Sequence, residues 1–218
     1  MSSMPSSSSA RAAARLVLAC GLLAGQAMAQ TVNLHYVASM GGAEAGVVNV
    51  TIDANGADYK LAGSAESRGL MEMLKGLRVR FDVSGRVIGK GPLTGVYEYH
   101  HRDNNKERLI RVANGEVSYT KNGEVRPNMP AKKGVDLVSA LWMAQRCDSL
   151  TDVHTGRTQY TFTLLEGSAD RCQYSVVSDD EDDGTFDVDI RYTRRAGLRV
   201  PELITSTGVF AGTISLTD

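Results

Sequence analysis

The sequence lacks the short motifs by which most hydrolases and nucleotide-binding enzymes are recognised. It contains neither G-x-S-x-G nor H-E-x-x-H, the patterns that supply an activated serine or a zinc-bound water. The glycine-rich stretch GRVIGKG does not match a phosphate-binding P-loop either. We therefore predict no catalytic residue, no metal site and no cofactor, and we expect the chain not to be an enzyme.

Long apolar runs are also missing. The first 29 residues combine two arginines, an apolar stretch too short to span a bilayer, and a final Ala-Met-Ala cleavage signal. This order is typical of a secretory signal peptide. It predicts cleavage after Ala29 and a periplasmic protein whose mature chain, residues 30–218, forms one domain without a transmembrane segment. The alternative, a lipoprotein cysteine at Cys20, places that cysteine inside the apolar stretch instead of after it.

Cysteine is scarce, with three in the chain, and Cys20 lies in the predicted signal peptide. The mature chain keeps Cys147 and Cys172, which form no C-x-x-C redox motif. A metal site would need further cysteine or histidine ligands at short spacing, and only His154 lies between the two. In an oxidising compartment such a pair predicts a structural disulfide, which would stabilise the fold by about 3 kcal/mol.

Charge is unevenly distributed along the chain. Residues 68–133 carry 14 basic and 7 acidic side chains, whereas residues 134–218 carry 7 basic and 14 acidic ones. One interpretation is that the two segments face each other within one domain. The alternative is a basic face for an anionic lipid or polysaccharide. Nucleic acid is not an expected partner, because the basic segment lacks interleaved aromatic residues.

Alternation of apolar and polar residues, with glycine, asparagine or aspartate between the runs, recurs throughout the mature chain. A clear example is LRVRFDVSGRVIG, which places Leu77, Val79, Phe81 and Val83 on one face. About eleven such strands, mostly joined by short connections, predict a mainly β protein. We expect a single curled antiparallel sheet, either a half-barrel or an open barrel.

Two stretches change to helical spacing, RGLMEMLKGL and VDLVSALWMAQR, and Asp136 is a plausible N-cap of the second. We expect both helices to pack on, or to plug, the concave side of the sheet. Filling the core is one role for them. The other is to line a lipid cavity, since methionine adapts to irregular apolar shapes. The candidate ligand-lining residues are Leu70, Met73, Leu74, Leu141 and Trp142.

The stretch SDDEDDGTFDVDI carries seven acidic side chains in thirteen positions. It partly fits a calcium loop, but Ile190 stands where a bidentate glutamate belongs. Its flanks also read as strands, where that motif needs helices. We predict a hairpin with a solvated acidic tip at Asp179–Asp183, and weak calcium binding there is the alternative.

His100 and His101 are adjacent, so on a strand they point to opposite faces and cannot chelate one metal together. The following Asp103-Asn104-Asn105 predicts a surface hairpin turn.

Several stretches resemble a family of exported bacterial proteins known as a domain of unknown function. YVASMGGAEAG is similar to its opening strand and turn, and VDLVSALWMAQ to its central Asp-x-x-Ser-Ala-Leu helix. AGLRVPELITSTGVFAGTISL resembles its closing strand pair. The resemblance implies a curled antiparallel sheet like the half-barrels of periplasmic lipoprotein carriers, and it assigns no catalytic residue.

These observations favour an exported, non-enzymatic protein that supports the cell envelope, with a lipid, acyl chain or lipoprotein bound in the sheet cavity. The first alternative is a scaffold that binds an envelope protein and has no small-molecule ligand. The second is an unrecognised hydrolase, in which His100 or His101 would have to meet an acid such as Asp103 and a serine. The oligomeric state is not predicted.

Overall fold

The computed structural model describes residues 30–89 and 91–217 of the chain. The predicted signal peptide therefore lies outside the described residues. The described part is mainly β, as predicted, with two short helices. None of its helices has both the length and the apolar character needed to cross a membrane.

All the strands belong to one sheet. In chain order they are β1 (Gln30–Met40), β2 (Ala43–Asn55), β3 (Asp58–Ser67), β4 (Arg78–Ile88), β5 (Gly91–Arg102), β6 (Glu107–Ala113), β7 (Glu116–Lys121), β8 (Glu124–Pro130), β9 (Val135–Asp136), β10 (Leu150–His154), β11 (Gln159–Gly167), β12 (Arg171–Ser178), β13 (Thr185–Arg195), β14 (Leu198–Ser206) and β15 (Gly212–Thr217). The helices are α1 (Leu70–Leu74) and α2 (Leu137–Met143), with short 3-10 helices at Ala144–Arg146 and Gly208–Phe210.

The sheet is almost entirely antiparallel. Its strand order is β8-β7-β6-β5-β4-β3-β2-β1-β15-β14-β13-β12-β11-β10-β9, so the first and last strands of the chain pair near its middle. In that pairing Tyr36 lies opposite Leu216. Among the described strands, one pair, β9 and β10, is parallel. The two edges, β8 and β9, do not pair with each other, and the sheet is open, as predicted.

The sheet curls so far that β9 lies against β5, although ten strands separate them in the sheet order. The hydroxyl of Thr94 on β5 donates a hydrogen bond of 2.6 Å to the Asp136 carboxylate at the end of β9. The Tyr59 hydroxyl on β3 and the Ser139 hydroxyl on α2 are 2.9 Å apart. Strands so distant in order meet only if the sheet bends back on itself.

Helix α2 begins at Asp136, whose side chain accepts a hydrogen bond of 2.9 Å from the Ser139 N–H, so the predicted N-cap is confirmed. Two hydrophobic clusters form the core, and α2 lies between them. Val138 and Trp142 pack against the cluster of the first half of the sheet. Ala140 and Leu141 pack with the cluster of the second half. Burial of this one helix therefore ties the two halves of the sheet together.

Helix α1 differs from the expectation. It has only five residues, none of them buried, and it contacts β2 and β3 at the corner that leads into β4. Its apolar stripe Leu70, Met73 and Leu74 is 68%, 80% and 60% exposed. A five-residue helix has too little surface to bury such a stripe while also connecting two strands.

The sheet has fifteen strands instead of about eleven. The alternating runs that gave the count of eleven did not include β8, β9 or β10. They also took residues 202–216 as one strand, which the 3-10 helix Gly208–Phe210 divides between β14 and β15. Strand β8 contains two prolines and is exposed along its whole length, so it shows no alternation of buried and exposed residues. Strand β9 has two residues, which is too short for any periodic signal.

The predicted disulfide is present. Cys147 follows the 3-10 helix after α2, and Cys172 is fully buried on β12. Their Cα atoms are 5.4 Å apart, a separation typical of disulfides. The bond attaches the helical segment to the second half of the sheet.

Candidate ligand-binding groove

A groove of about 1020 Å³ opens on the concave side of the sheet. One side is formed by β5, β6 and the β10–β11 connection, whose Arg157 lies over the Tyr119 ring of β7, and the other by the tip of the β12–β13 hairpin. The start of α2 lies between them. The lining residues are Tyr97, Tyr99, His101, Arg108, Ile110, Leu137, Val138, Thr155, Arg157, Thr158, Tyr160, Asp179, Asp180, Glu181, Asp182, Asp183 and Phe210.

The floor of the groove is aromatic and aliphatic. Alternation along β5 places Tyr97 and Tyr99 on the concave face, with their ring centroids 6.3 Å apart. Ile110 of β6 is buried beside them, and Leu137 and Val138 come from the first turn of α2. The apolar part of the groove is therefore its floor.

His101 lies at the outer end of the same face of β5. Its Nε2 is 3.0 Å from a carboxylate oxygen of Asp103, and its Nδ1 is 3.4 Å from the Tyr99 hydroxyl. The hydrogen bond from His101, with the backbone N–H of Asn105, lowers the pKa of Asp103 to about 2. Burial raises the pKa of Tyr99. The Tyr99 hydroxyl is therefore protonated near neutral pH. With the Nε2–H of His101 directed at the Asp103 carboxylate, the His101 Nδ1 accepts the hydrogen bond from Tyr99.

His100 points to the opposite face, as predicted. Its Nε2 is 2.7 Å from Glu107, and both residues line a smaller hollow of about 270 Å³ on the convex side. The turn after β5 is held by the Asp103 side chain, which accepts hydrogen bonds from the N–H groups of Asn105 and Lys106. This is the asparagine-rich hairpin turn expected from the sequence.

Two arginines line the groove. Arg108 is directly opposite His101 in the β5–β6 register. Its buried Nε has no hydrogen-bond partner among the described residues. The guanidinium of Arg157, an exposed residue, lies 4.6 Å from the centre of the Tyr119 ring. A ring face favours a cation at this distance and holds it in place.

The acidic stretch forms the opposite side. It is the tip of the β12–β13 hairpin, as predicted, and Asp183 and Gly184 donate backbone hydrogen bonds to the Asp180 carbonyl. Asp179 accepts from the Gln159 N–H at 2.7 Å and pairs with Lys132, and both interactions lower its pKa. Within residues 30–89 and 91–217, no group of three histidine, cysteine, aspartate or glutamate side chains is arranged to hold a metal ion.

The groove is also where the basic and acidic segments of the sequence meet. The Lys132–Asp179 ion pair joins them. Other ion pairs lie within one segment, such as Arg111–Glu98, or join residues 68–133 to the strands before them, such as Arg86–Asp58. The interpretation that the two segments face each other therefore applies at this end of the sheet, while elsewhere charges are neutralised by neighbours on adjacent strands.

None of the five candidate ligand-lining residues lines this groove. Leu70, Met73 and Leu74 are exposed on α1. Leu141 and Trp142 pack into the core, where the indole ring lies 4.9 Å from the Tyr59 ring. Helix α2 contributes Leu137 and Val138 instead. Leu137 and Val138 belong to the apolar face of the helix predicted from VDLVSALWMAQR. The sequence of this helix does not show which of its turns faces the groove.

Comparison of the chain with protein-family models, with curated proteins and with solved structures found no match. The functional argument therefore depends on the geometry of the groove.

Proposed function

We propose that this protein is an exported, non-enzymatic component of the cell envelope that holds an amphiphile in its concave groove. The ligand would be a lipid, a free acyl chain or the lipid-modified segment of a lipoprotein. The observation that carries the proposal is the groove itself, which combines an apolar floor with a charged rim.

The size of the groove suits such a ligand, and its lining combines a few apolar side chains with a larger number of polar and charged ones. Sites for small molecules usually have volumes of about 300–1,000 Å³ and a mostly apolar lining with a few polar groups that fix orientation. A volume of about 1020 Å³ accommodates a single acyl chain with its headgroup. The floor of Tyr97, Tyr99, Ile110 and Val138 would bury the chain, and the charged rim would keep the headgroup near water.

Two observations speak against a hydrolase. The hydroxyl that meets His101 belongs to Tyr99, whose pKa is raised by burial, so it is a poor nucleophile. A second set of potential catalytic residues, Ser139, Asp136 and His154, is 0%, 0% and 3% exposed. A substrate cannot reach side chains that are this deeply buried.

Support for export comes from the N-terminal sequence and from the disulfide. The first 29 residues have the order of a secretory signal peptide, and disulfides persist in oxidising compartments. The resemblance to an exported bacterial family with carrier-like half-barrels points the same way. The curled open sheet agrees with the architecture that this resemblance implies.

A scaffold that binds a protein partner is the second candidate, and edge strand β8 favours it. Every residue of β8 is exposed, including Val125 at 76%. Its outer edge is unpaired in the sheet order, so a strand of a partner could add to it. Pro127 and Pro130 remove two N–H donors, which limits how many hydrogen bonds such a strand could make.

Native mass spectrometry would test the amphiphile proposal. The protein is expressed with its own N-terminal sequence, purified from the periplasm without detergent, and extracted with solvent to identify any bound molecule. We expect a stoichiometric acyl-chain adduct. Phe210→Asp, at the groove, should abolish it, because a carboxylate would oppose an apolar chain. Leu165→Asp is the matched control, since Leu165 is also exposed but does not line the groove.

A clean ligand-free mass for the wild-type protein contradicts the proposal as stated. The next measurement would then be cross-linking from a photoreactive group at Val125. A defined envelope protein captured there, and not from a group at Leu165, would establish the scaffold function.

A further inference from the structure

We propose that the groove recognises a zwitterionic headgroup made of a phosphate and a primary ammonium, as in a phosphoethanolamine lipid. Arg108 and Arg157 would bind the phosphate, and the acidic hairpin tip at Asp180–Asp182 would bind the ammonium. This inference rests on the proposed function and adds the chemistry of the headgroup. It is carried by the opposite charges of the two sides of one groove.

The basic side has unused hydrogen-bonding capacity. The side chain of Arg108 is partly exposed and makes no ion pair with a carboxylate of the described residues, and its Nε has no hydrogen-bond partner there. Arg157 is held over Tyr119 by its ring contact, and no ion pair with a carboxylate of the described chain engages it. Two guanidiniums in one groove are a common arrangement for a phosphate, because each offers planar paired donors.

The acidic side has unused charge as well. Asp179 is engaged by Lys132, and Asp183 accepts a hydrogen bond of 2.8 Å from the Tyr160 hydroxyl. The acids between them, Asp180, Glu181 and Asp182, are exposed and have no ion-pair partner in the part of the chain that the structure describes. These three residues line the same groove as the arginines. The Asp180 carboxylate accepts a hydrogen bond of 3.2 Å from the Asp182 N–H, and no basic side chain neutralises any of the three among the described residues.

The balance of charges favours a zwitterion over an ion of one sign. Five acids and two arginines line the groove. A purely anionic headgroup would gain from the arginines but would be repelled by the hairpin tip, since charges within about 8 Å are incompletely screened at physiological salt. A purely cationic headgroup would leave both arginines without an anion. A headgroup with both charges satisfies both sides, and its acyl chain would continue over the apolar floor.

The test measures binding of four soluble probes by native mass spectrometry and calorimetry below their micelle concentrations. The probes are lysophosphatidylethanolamine, lysophosphatidylglycerol and an alkylamine, all with the same chain length, and free O-phosphoethanolamine. We expect the first to bind about tenfold more tightly than the second and third, the difference that one charged hydrogen bond typically makes. The free headgroup should bind most weakly, because it lacks the apolar chain.

Variants separate the two sides of the groove. Arg157→Ala should weaken both phospholipids about tenfold and leave the alkylamine unchanged. Arg102→Ala is its control, because Arg102 is exposed on the opposite face of β5. Combining Asp180→Asn, Glu181→Gln and Asp182→Asn should remove the preference for lysophosphatidylethanolamine over lysophosphatidylglycerol. All these side chains are exposed, so the fold should tolerate the changes.

The outcomes distinguish this inference from the proposed function. Equal binding of the three amphiphiles, unchanged in the variants, overturns headgroup recognition and supports the groove as a general amphiphile site. Binding of none of the four probes overturns both. Free O-phosphoethanolamine bound as tightly as the lysolipid supports recognition of the zwitterion but overturns the assignment of a lipid ligand.

Discussion

The contact between β5 and the start of α2 leads to a prediction that can be worked out quantitatively. Asp136 is fully buried. One carboxylate oxygen accepts from the Ser139 N–H at 2.9 Å, and the other accepts from the Thr94 hydroxyl at 2.6 Å. We predict that Asp136→Ala lowers the free energy of unfolding by about 2–4 kcal/mol. Loss of an N-cap contributes about 1 kcal/mol, and a donor left without its acceptor contributes about 1–3 kcal/mol.

Urea unfolding followed by tryptophan fluorescence suits this measurement, because Trp142 is the single tryptophan of the chain and lies on α2. Asp136→Asn keeps an oxygen for one of the two bonds and should lose about half as much stability. Asp82→Ala is the control. Asp82 is 51% exposed in its ion pair with Lys60, so its loss should change the free energy by less than about 0.5 kcal/mol.

A double-mutant cycle decides whether the two sides of the curled sheet are coupled through this carboxylate. Thr94→Val removes the other partner while preserving side-chain shape. We expect the double variant Asp136→Ala/Thr94→Val to lose about 1 kcal/mol less free energy of unfolding than the two single variants lose in sum. The reason is that the hydrogen bond shared by the two residues is lost only once. Strictly additive losses would refute the reasoning that this bond joins β5 to β9.

Three further predictions concern other parts of the molecule. Replacing both cysteines of the disulfide by alanine should lower the free energy of unfolding by about 3 kcal/mol in urea titrations, and equal stability of this variant and the oxidised protein would contradict that. Gly134→Ala should prevent folding, because φ of Gly134 is +115° and the new Cβ would lie 1.6 Å from the Asp152 carbonyl oxygen. Gly123→Ala is the control: its Cβ would meet open space, so this variant should fold. Circular dichroism measures both outcomes. The pKa of Asp103 is about 2 in the folded protein, below its ordinary value near 4, so its stabilising contribution is full above pH 4 and is lost as the pH falls towards 2. Asp103→Asn should therefore reduce the dependence of the unfolding free energy on acid pH. An unchanged pH profile would contradict this.

The strands that the sequence predicted correctly are those with one buried face. In β4, Val79, Phe81 and Val83 lie on the less exposed face and Arg78, Arg80 and Asp82 are exposed, as the alternation predicted. The β12–β13 hairpin follows the same rule, with Val188 and Ile190 buried and Asp187 exposed. In each case the pattern arises because one face of the strand is in the core, so that burial alone determines which residue type stands where.

Predictions failed where neither burial nor length imposes a pattern. Edge strand β8 has no buried side chain, and its prolines suggest a loop. Strand β9 exists only because β10 lies beside it, in the parallel pairing that brings Asp136 next to His154. Such strands are determined by the neighbours that the rest of the sheet supplies. A window of local sequence does not contain those neighbours.

The groove shows the same limit more strongly. Its sides come from β5 and β6, from the β10–β11 connection and from the β12–β13 hairpin, which lie far apart in the chain. The acidic tip is a turn at the end of the β12–β13 hairpin, as its sequence predicts, and that stretch alone does not indicate that it lines a groove. It becomes one side of a groove because the curl of the sheet brings Arg108 and Arg157 to the other side. Asp136 and α2 hold the two halves of the sheet in that arrangement. The charged rim of the groove therefore depends on the partly buried hydrogen bond between Thr94 and Asp136, neither of which lines the groove.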